Sequence, residues 1–303
     1  MSPDAACLTT TGGLRGNRTF RPGGRHEDRE GGEGFRHGSG QRHRAGHGPG
    51  LAARGARLFL TDINLPGLEE TASMALSRGG EVLRCRALDI TCYQEVRAFA
   101  DEVQRDFGPV EILLNVAGIA LWSLVEHMSH EHWLKVINTN LWGPIHGIEC
   151  FLPEMIRAKR GHLVTVSSIS GLVGAPWHAA YAASKFGCVG LSEVLRYDLA
   201  QHHIGVTVVC PGAVDTPLKH TVELLGVDPD GESVRRLKQR FSRRAVSPER
   251  VADQIVEAVE AERFLVITSP DVKAVYALKR FLPPAYHRLM KYMSRLLNGV
   301  QRV

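Results

Sequence analysis

A tyrosine and a lysine four residues apart, in Tyr181-Ala182-Ala183-Ser184-Lys185, are the sharpest chemical feature of this 303-residue chain. On a helix, positions i and i+4 share a face. An ammonium beside a phenol favours the phenolate. A tyrosine placed in that way exchanges a proton with an alcohol or a carbonyl. Taken alone, Tyr-x-x-x-Lys is common and equally fits an ordinary helix, so its neighbours decide. Ser168 lies thirteen residues before Tyr181, at the end of "HLVTVSS", and Asn140 lies forty-one before it, in "INTNLWG". Asn115 ends the run "ILLN", with Ala117 and Gly118 just after it, and "VVC" runs into Pro211, Gly212 and Thr216. Each of these groups follows a short apolar run or lies on a helix beside one. Doubly wound sheets bind ligands there, beyond the carboxyl ends of their strands.

The elements that must position these residues are legible from residue 51 onward. Strands are expected at 56–63, 81–88, 111–115, 162–167, 205–210 and 264–268. Helices are expected at 65–78, 93–107, from a Ser129 N-cap to about 158, and at 177–202. Ser247-Pro248-Glu249 reads as an N-cap, an N1 proline and an acidic first turn, opening a helix to 262. Residues 217–246 form a polar insertion, rich in Arg235, Arg236, Lys238, Arg240, Arg243 and Arg244, expected to act as a pocket lid. Strands alternating with helices imply an α/β fold: a doubly wound, Rossmann-like parallel sheet covered on both faces. Three segments follow: 1–50, irregular and rich in Gly and Arg; 51–270, the catalytic domain; 271–303, a basic amphipathic helical tail broken at Pro283-Pro284.

Composition narrows the function. The sequence holds no run of eighteen apolar residues, so no transmembrane helix is expected. With no secretory signal visible either, a cytoplasmic protein is expected. Six cysteines lie far apart without a C-x-x-C pair, which suits reduced thiols. The His127, His130 and His132 cluster does not place its imidazoles on one helix face, and no metal site is expected. Net charge is +5, concentrated at the two ends. Basic ends can address nucleic acid or anionic membranes, but solvated faces are the expectation here. No nucleic-acid partner is expected, and the tail is expected to cover the domain edge rather than touch a membrane. Trp122 and Trp177 fit either a substrate pocket or ordinary packing.

In combination these stretches resemble the short-chain dehydrogenase/reductase superfamily over about residues 51–270. The resemblance implies an NAD(P)-dependent oxidoreductase acting on a secondary alcohol or ketone. It implies Tyr181 as catalytic acid/base, and Lys185 favouring its phenolate and holding the nicotinamide ribose. Ser168 would polarise the substrate oxygen, and Asn140 would hold the water of a proton relay. Asn115, Ala117 and Gly118 match the family's Asn-Asn-Ala-Gly, with Val116 replacing the second Asn. Pro211, Gly212 and Thr216 match the segment flanking the nicotinamide. Asp89 matches the residue that contacts adenine. Asp62, closing a strand, would accept from a ribose 2′-OH and repel a 2′-phosphate, favouring NAD over NADP; it also fits a turn or N-cap role. A homodimer or homotetramer through helices near 130–158 and 177–202 is implied as well.

One part of the family pattern is missing. Thr-Gly-x-x-x-Gly-x-Gly, the loop that lets a helix N-terminus approach a pyrophosphate, has no match, and Gly38-Ser39-Gly40 has no strand before it. Codons can be chosen for residues 35–49 such that the frame shifted by one base reads Ser-Val-Thr-Gly-Ala-Gly-Ser-Gly-Ile-Gly-Arg-Ala-Thr-Ala-Leu. That is the missing strand end, loop and helix start. Residues 1–50 contain arginine, glycine and histidine but no lysine, as out-of-frame GC-rich DNA would give. An out-of-frame N-terminal segment is therefore expected, against a genuine Gly/Arg-rich arm. The contrasting expectation is an impaired pseudoenzyme or binding protein that lacks the phosphate loop.

Overall fold

The computed structural model describes residues 8–14 (backbone only), 55–216, 222–228, 231–232, 234–236, 239 and 245–299. Residues 35–49, the segment expected to be out of frame, and half of the 217–246 insertion lie outside the described residues. A seven-stranded sheet forms the centre. It contains β1 (Leu8–Leu14), β2 (Ala56–Asp62), β3 (Glu81–Ala87), β4 (Ile112–Asn115), β6 (Gly161–Val166), β7 (Ile204–Cys210) and β9 (Leu265–Ile267), in the order β3-β2-β1-β4-β6-β7-β9. Two-residue strands β5 (Leu121–Trp122) and β8 (Glu223–Leu224) pair separately. Pairings β2–β3, β4–β6, β6–β7 and β7–β9 are parallel. The chain is thus an α/β protein with a Rossmann-like sheet, as the alternation predicts.

The first strand corrects one expectation. Residues 8–14 are not irregular: they fill the position between β2 and β4, antiparallel to both. The physical reason is the ladder. Without a strand there, β2 and β4 would each expose a row of unpaired amides and carbonyls in mid-sheet. Thr9-Thr10-Thr11 is β-branched and suits a pleated position.

Helices cover both faces. On one side, α2 (Tyr93–Phe107) and α4 (Gly143–Ala158) pack Phe99 and Phe151 against Phe59 and Leu163, while α5 (Ala179–Asp198) adds Leu191 and Leu195. On the other, α1 (Leu65–Ser77) and α6 (Pro248–Glu260) cover Leu58, Leu60, Leu114 and Val164. Each fully buried Leu or Phe contributes about 1.5–3 kcal/mol. The caps are local: Ser129 and His132 form a reciprocal box opening α3 (His130–Ile137). Ser247 Oγ accepts from Arg250 N at 3.3 Å to open α6. The expected single helix from 129 to 158 is broken by a π-turn at Asn138–Trp142 between α3 and α4. The tail forms α7 (Pro270–Phe281) and α8 (Pro283–Asn298), divided at Leu282 as the proline pair predicts. No described helix is long and apolar enough to cross a membrane.

Candidate active site

The site gathers at the carboxyl edge of the sheet. Asn115 ends β4, Ser168 follows β6, and Pro211 follows β7. Helix α5 brings Tyr181 and Lys185 to this edge on one face, both buried. The Lys185 ammonium donates to the Val166 carbonyl at 3.0 Å, so the end of β6 holds it. It stands 5.9 Å from the Tyr181 ring centre. Only one of its three N–H groups is used in that hydrogen bond, which leaves donors for a ligand.

Asn140 sits on the π-turn, fully buried. Its Oδ1 accepts from Ile119 N at 2.8 Å, and its Nδ2 donates to Ile119 O at 2.9 Å. Nδ2 also donates to Ser184 Oγ at 3.2 Å, and Ser184 Oγ donates to Tyr181 O at 2.7 Å. One carboxamide therefore ties the β4 loop to α5. A π-bulge is a common device for re-aiming a side chain at a functional site. Gly118 fits this corner because a β-carbon there would stand 3.2 Å from both Asn140 Oδ1 and Lys185 Nζ.

Ser168 is extended at the end of β6 and its Oγ accepts from Ser170 N at 3.2 Å. Its neighbour Ser167 donates from Oγ to Lys185 O at 2.9 Å, binding the strand end to α5. Gly171 lies so close to α5 that a β-carbon would stand 2.6 Å from Lys185 O. Pro211 is buried, and its carbonyl accepts from Ile169 N at 2.7 Å. Gly212 and Thr216 follow on the same segment, both half-buried. Ala117 is buried in the core beneath the loop.

The two carboxylates lie further along the edge. Asp62 closes β2, and its Oδ1 accepts from Asn64 N at 2.8 Å. Asp89 follows β3 and accepts from Thr91 N at 2.8 Å. Asn115 is buried with neither amide atom partnered among the described residues, and Thr165 Oγ1 beside it on β6 is likewise without a partner. Native interiors rarely leave such groups unsatisfied.

Sequence reasoning missed part of the wall beside Tyr181. The His178 ring lies 4.9 Å from Trp122 and 6.2 Å from Tyr181. Burial pushes the His178 imidazole below its ordinary pKa, opposed by its hydrogen bond with the Pro176 carbonyl. Trp122 thus stands near Tyr181, with His178 between them. Trp177 turns away instead: its Nε1 donates to Asn298 Oδ1 on α8 at 3.1 Å. Its φ of 67° is left-handed, an uncommon conformation for a bulky residue. Among the cysteines, Cys188 Sγ donates to Asn140 O at 3.1 Å. All five in the described residues are free, and burial pushes Cys210 up to about 12.

The residues at the nicotinamide end fit a bound nicotinamide nucleotide: a buried lysine with spare donors, a tyrosine on the same face, and a glycine corner that a β-carbon would fill. At the phosphate end, no glycine-rich loop lies beside β2 among the described residues, and the helix N-terminus that follows β2 is that of α1, capped by its own Asn64.

Comparisons with known proteins agree with this geometry. The sequence profile of the family described as short chain dehydrogenase (adh_short) matches residues 49–224. SadH of Mycobacterium tuberculosis, named as an oxidoreductase, is 34% identical over 244 residues, covering 79% of this chain and 87% of its own length. The crystal structure of a short-chain dehydrogenase/reductase from Burkholderia phymatum in complex with NAD is similar with a TM-score of 0.68. It shares 27% identity and covers 78% of this chain and 89% of that one. A metagenomic short-chain oxidoreductase in complex with NADP gives a TM-score of 0.57 at 27% identity, covering 73% and 87%. The chain belongs to the short-chain dehydrogenase family and is an oxidoreductase of that type.

Proposed function

We propose that this protein moves a hydride between NAD and a secondary alcohol or ketone, with Tyr181 exchanging the proton. The carrying observation is the lysine. Lys185 is buried beside the tyrosine, fixed by Val166 O, and adjacent to Asn140 and Gly118. A structural lysine gains little from that position, because burying its charge is costly without a partner. When bound, the nicotinamide supplies or accepts the hydride. The chain's own groups do the rest. Tyr181 Oη gives a proton to a carbonyl oxygen or takes one from an alcohol. Lys185 holds the nicotinamide ribose and favours the phenolate. Ser168 Oγ aligns the substrate oxygen, and Asn140 holds the water through which Lys185 is reprotonated.

Asp62, at the end of β2, selects NAD by accepting from the ribose 2′-OH and repelling a 2′-phosphate. Asp89 meets the adenine, and Asn115, Ala117, Gly118, Pro211, Gly212 and Thr216 flank the nucleotide. The protein works in the cytoplasm as a homodimer or homotetramer through α4 and α5. Residues 1–50 are in the main an out-of-frame translation of the segment that would carry the glycine loop. The test is a panel of secondary alcohols with NAD, using protein with the restored frame, followed by absorbance of NADH. Steady turnover with a secondary alcohol is expected; no turnover with any alcohol or ketone despite NADH binding would overturn the reading.

A further inference from the structure

We propose that the α7–α8 hairpin docks on an anionic phospholipid surface. Its elbow is apolar and exposed: Phe281 is 73% exposed and Leu282 59%, followed by exposed Pro283 and Pro284. Around the elbow the charge has one sign. Arg280, Arg288, Lys291 and Arg295 are exposed on the two helices; Lys279 turns inward to donate to Leu172 O at 2.6 Å, and Lys273 stands with Asp271, the one carboxylate of the two helices, in the first turn of α7, at the far end from the elbow.

The second helix sorts its residues by face. Tyr286, Leu289, Met290, Met293 and Leu297 turn inward, half-buried or buried. Arg288, Lys291 and Arg295 recur at i, i+3 and i+7 and are exposed, together with Tyr292 and Leu296. Arginine or lysine heads beside tyrosine and leucine are the composition of a helix lying in a headgroup layer. Solubility alone does not account for a Phe-Leu-Pro-Pro tip held out from the domain, nor for an outward face without a carboxylate. Complementary charge selects the occupant: a surface with many negative groups and an apolar layer just beneath, which an anionic bilayer offers.

The hairpin is fastened to the site. Tyr286 Oη donates to Gly174 O at 3.1 Å, and Trp177 Nε1 donates to Asn298 Oδ1 at 3.1 Å. Both partners lie on the segment leading into α5. Docking therefore brings the loop before Tyr181 near the headgroup layer, where an apolar alcohol or ketone would be concentrated.

Sedimentation of the full chain with phosphatidylcholine vesicles containing about one-third phosphatidylserine tests this without cofactor or substrate. Binding is expected to the anionic vesicles and to fall by at least about tenfold on pure phosphatidylcholine or in about 0.5 M NaCl. Replacing Arg288, Lys291 and Arg295 together by Gln is expected to weaken it by about 100-fold. The pair Phe281→Ser and Leu282→Ser is expected to weaken it by at least about tenfold. Since these side chains point outward, the thermal midpoint of each variant should match the parent. No binding to anionic vesicles, equal binding of the triple variant, or tighter binding to duplex DNA at equal phosphate concentration would each overturn the proposal.

Discussion

Replacing Asn140 by alanine tests the claim that this residue holds the site together as well as serving it. The carboxamide satisfies both backbone groups of Ile119, at 2.8 and 2.9 Å, and meets Ser184 Oγ at 3.2 Å. It is fully buried, so water does not replace what the substitution removes. Two backbone groups are left unsatisfied, at about 1–3 kcal/mol each. Ser184 keeps its donation to Tyr181 O and loses little. The expected destabilisation is therefore about 2–6 kcal/mol. For a domain of this size about 1 kcal/mol moves the midpoint by 2–4 °C, so Tm should fall by about 10 °C. Thermal unfolding followed by circular dichroism, without cofactor, reads the lock independently of chemistry. Turnover measured well below the lowered midpoint reads the catalytic part. A Tm change below about 2 °C together with lost turnover would refute the lock, leaving Asn140 a role in the reaction alone.

Tyr181→Phe keeps the ring and removes the proton donor; NADH binding should persist while turnover falls by about 100-fold or more, and near-normal turnover would remove Tyr181 from the mechanism. Asp62→Ala should narrow the preference for NAD and admit some NADP; an unchanged ratio of kcat/KM values for the two would show that this carboxylate does not face the ribose. A pH prediction rests on His162, whose Nε2 donates to Thr207 Oγ1 at 2.7 Å while that hydroxyl donates to Arg263 O at 2.8 Å, leaving the buried Nδ1 without a partner. Protonating Nδ1 would bury an unpaired cation, so burial pushes the imidazole down to about 4. The unfolded chain then takes up a proton that the fold refuses, and stability should fall as pH drops from about 6.5 towards 4, by at most about 3 kcal/mol. Denaturation midpoints of His162→Leu against pH should lack this component; an identical slope would refute the assignment.

The parts of the fold visible in the sequence were those with a strong local period. Helix α2 was expected at 93–107 and spans Tyr93–Phe107, because its apolar residues recur at helical spacing and Gly108-Pro109 stops it. The strands β6 and β7 are nearly continuous apolar runs and were placed within a residue or so at each end. The π-turn at Asn138–Trp142 was not read from the sequence, although Gly143-Pro144 marks it: proline has no N–H to give the Asn140 carbonyl, which accepts from Cys188 Sγ at 3.1 Å instead. The His178–Trp122 contact was missed because it is tertiary. It joins segments far apart in sequence, held together by the pairing of Ser123 with His178 and by Ser123 N donating to Trp177 O at 2.8 Å. The hydrogen bond of Trp177 likewise needs Asn298, on a helix more than a hundred residues away.

The first strand shows where pairing and chemistry part company. Any β-forming segment can satisfy the ladders of β2 and β4, and Leu8–Leu14 does so. Its direction, however, decides what leaves its ends. Leu8 lies opposite Thr61 and Asn115 at the carboxyl edge, and Leu14 lies opposite Ala56 at the other edge. A chain leaving Leu14 therefore starts away from Tyr181, whereas a parallel strand would deliver its following loop beside Asp62 and Asn115. The unpartnered Asn115 amide lies at that same edge. Stability tolerates the reversal better than binding does, because a pyrophosphate needs converging backbone N–H groups at a helix N-terminus. The chain as written is thus expected to bind NADH weakly even though Tyr181, Lys185, Ser168 and Asn140 are assembled. Restoring the shifted frame over residues 35–49 should give a parallel first strand, tighter NADH binding by fluorescence and a higher thermal midpoint. Sequencing the gene settles the premise: codons that yield the glycine loop in neither alternative frame would end it, as would tight NADH binding by the unrepaired chain.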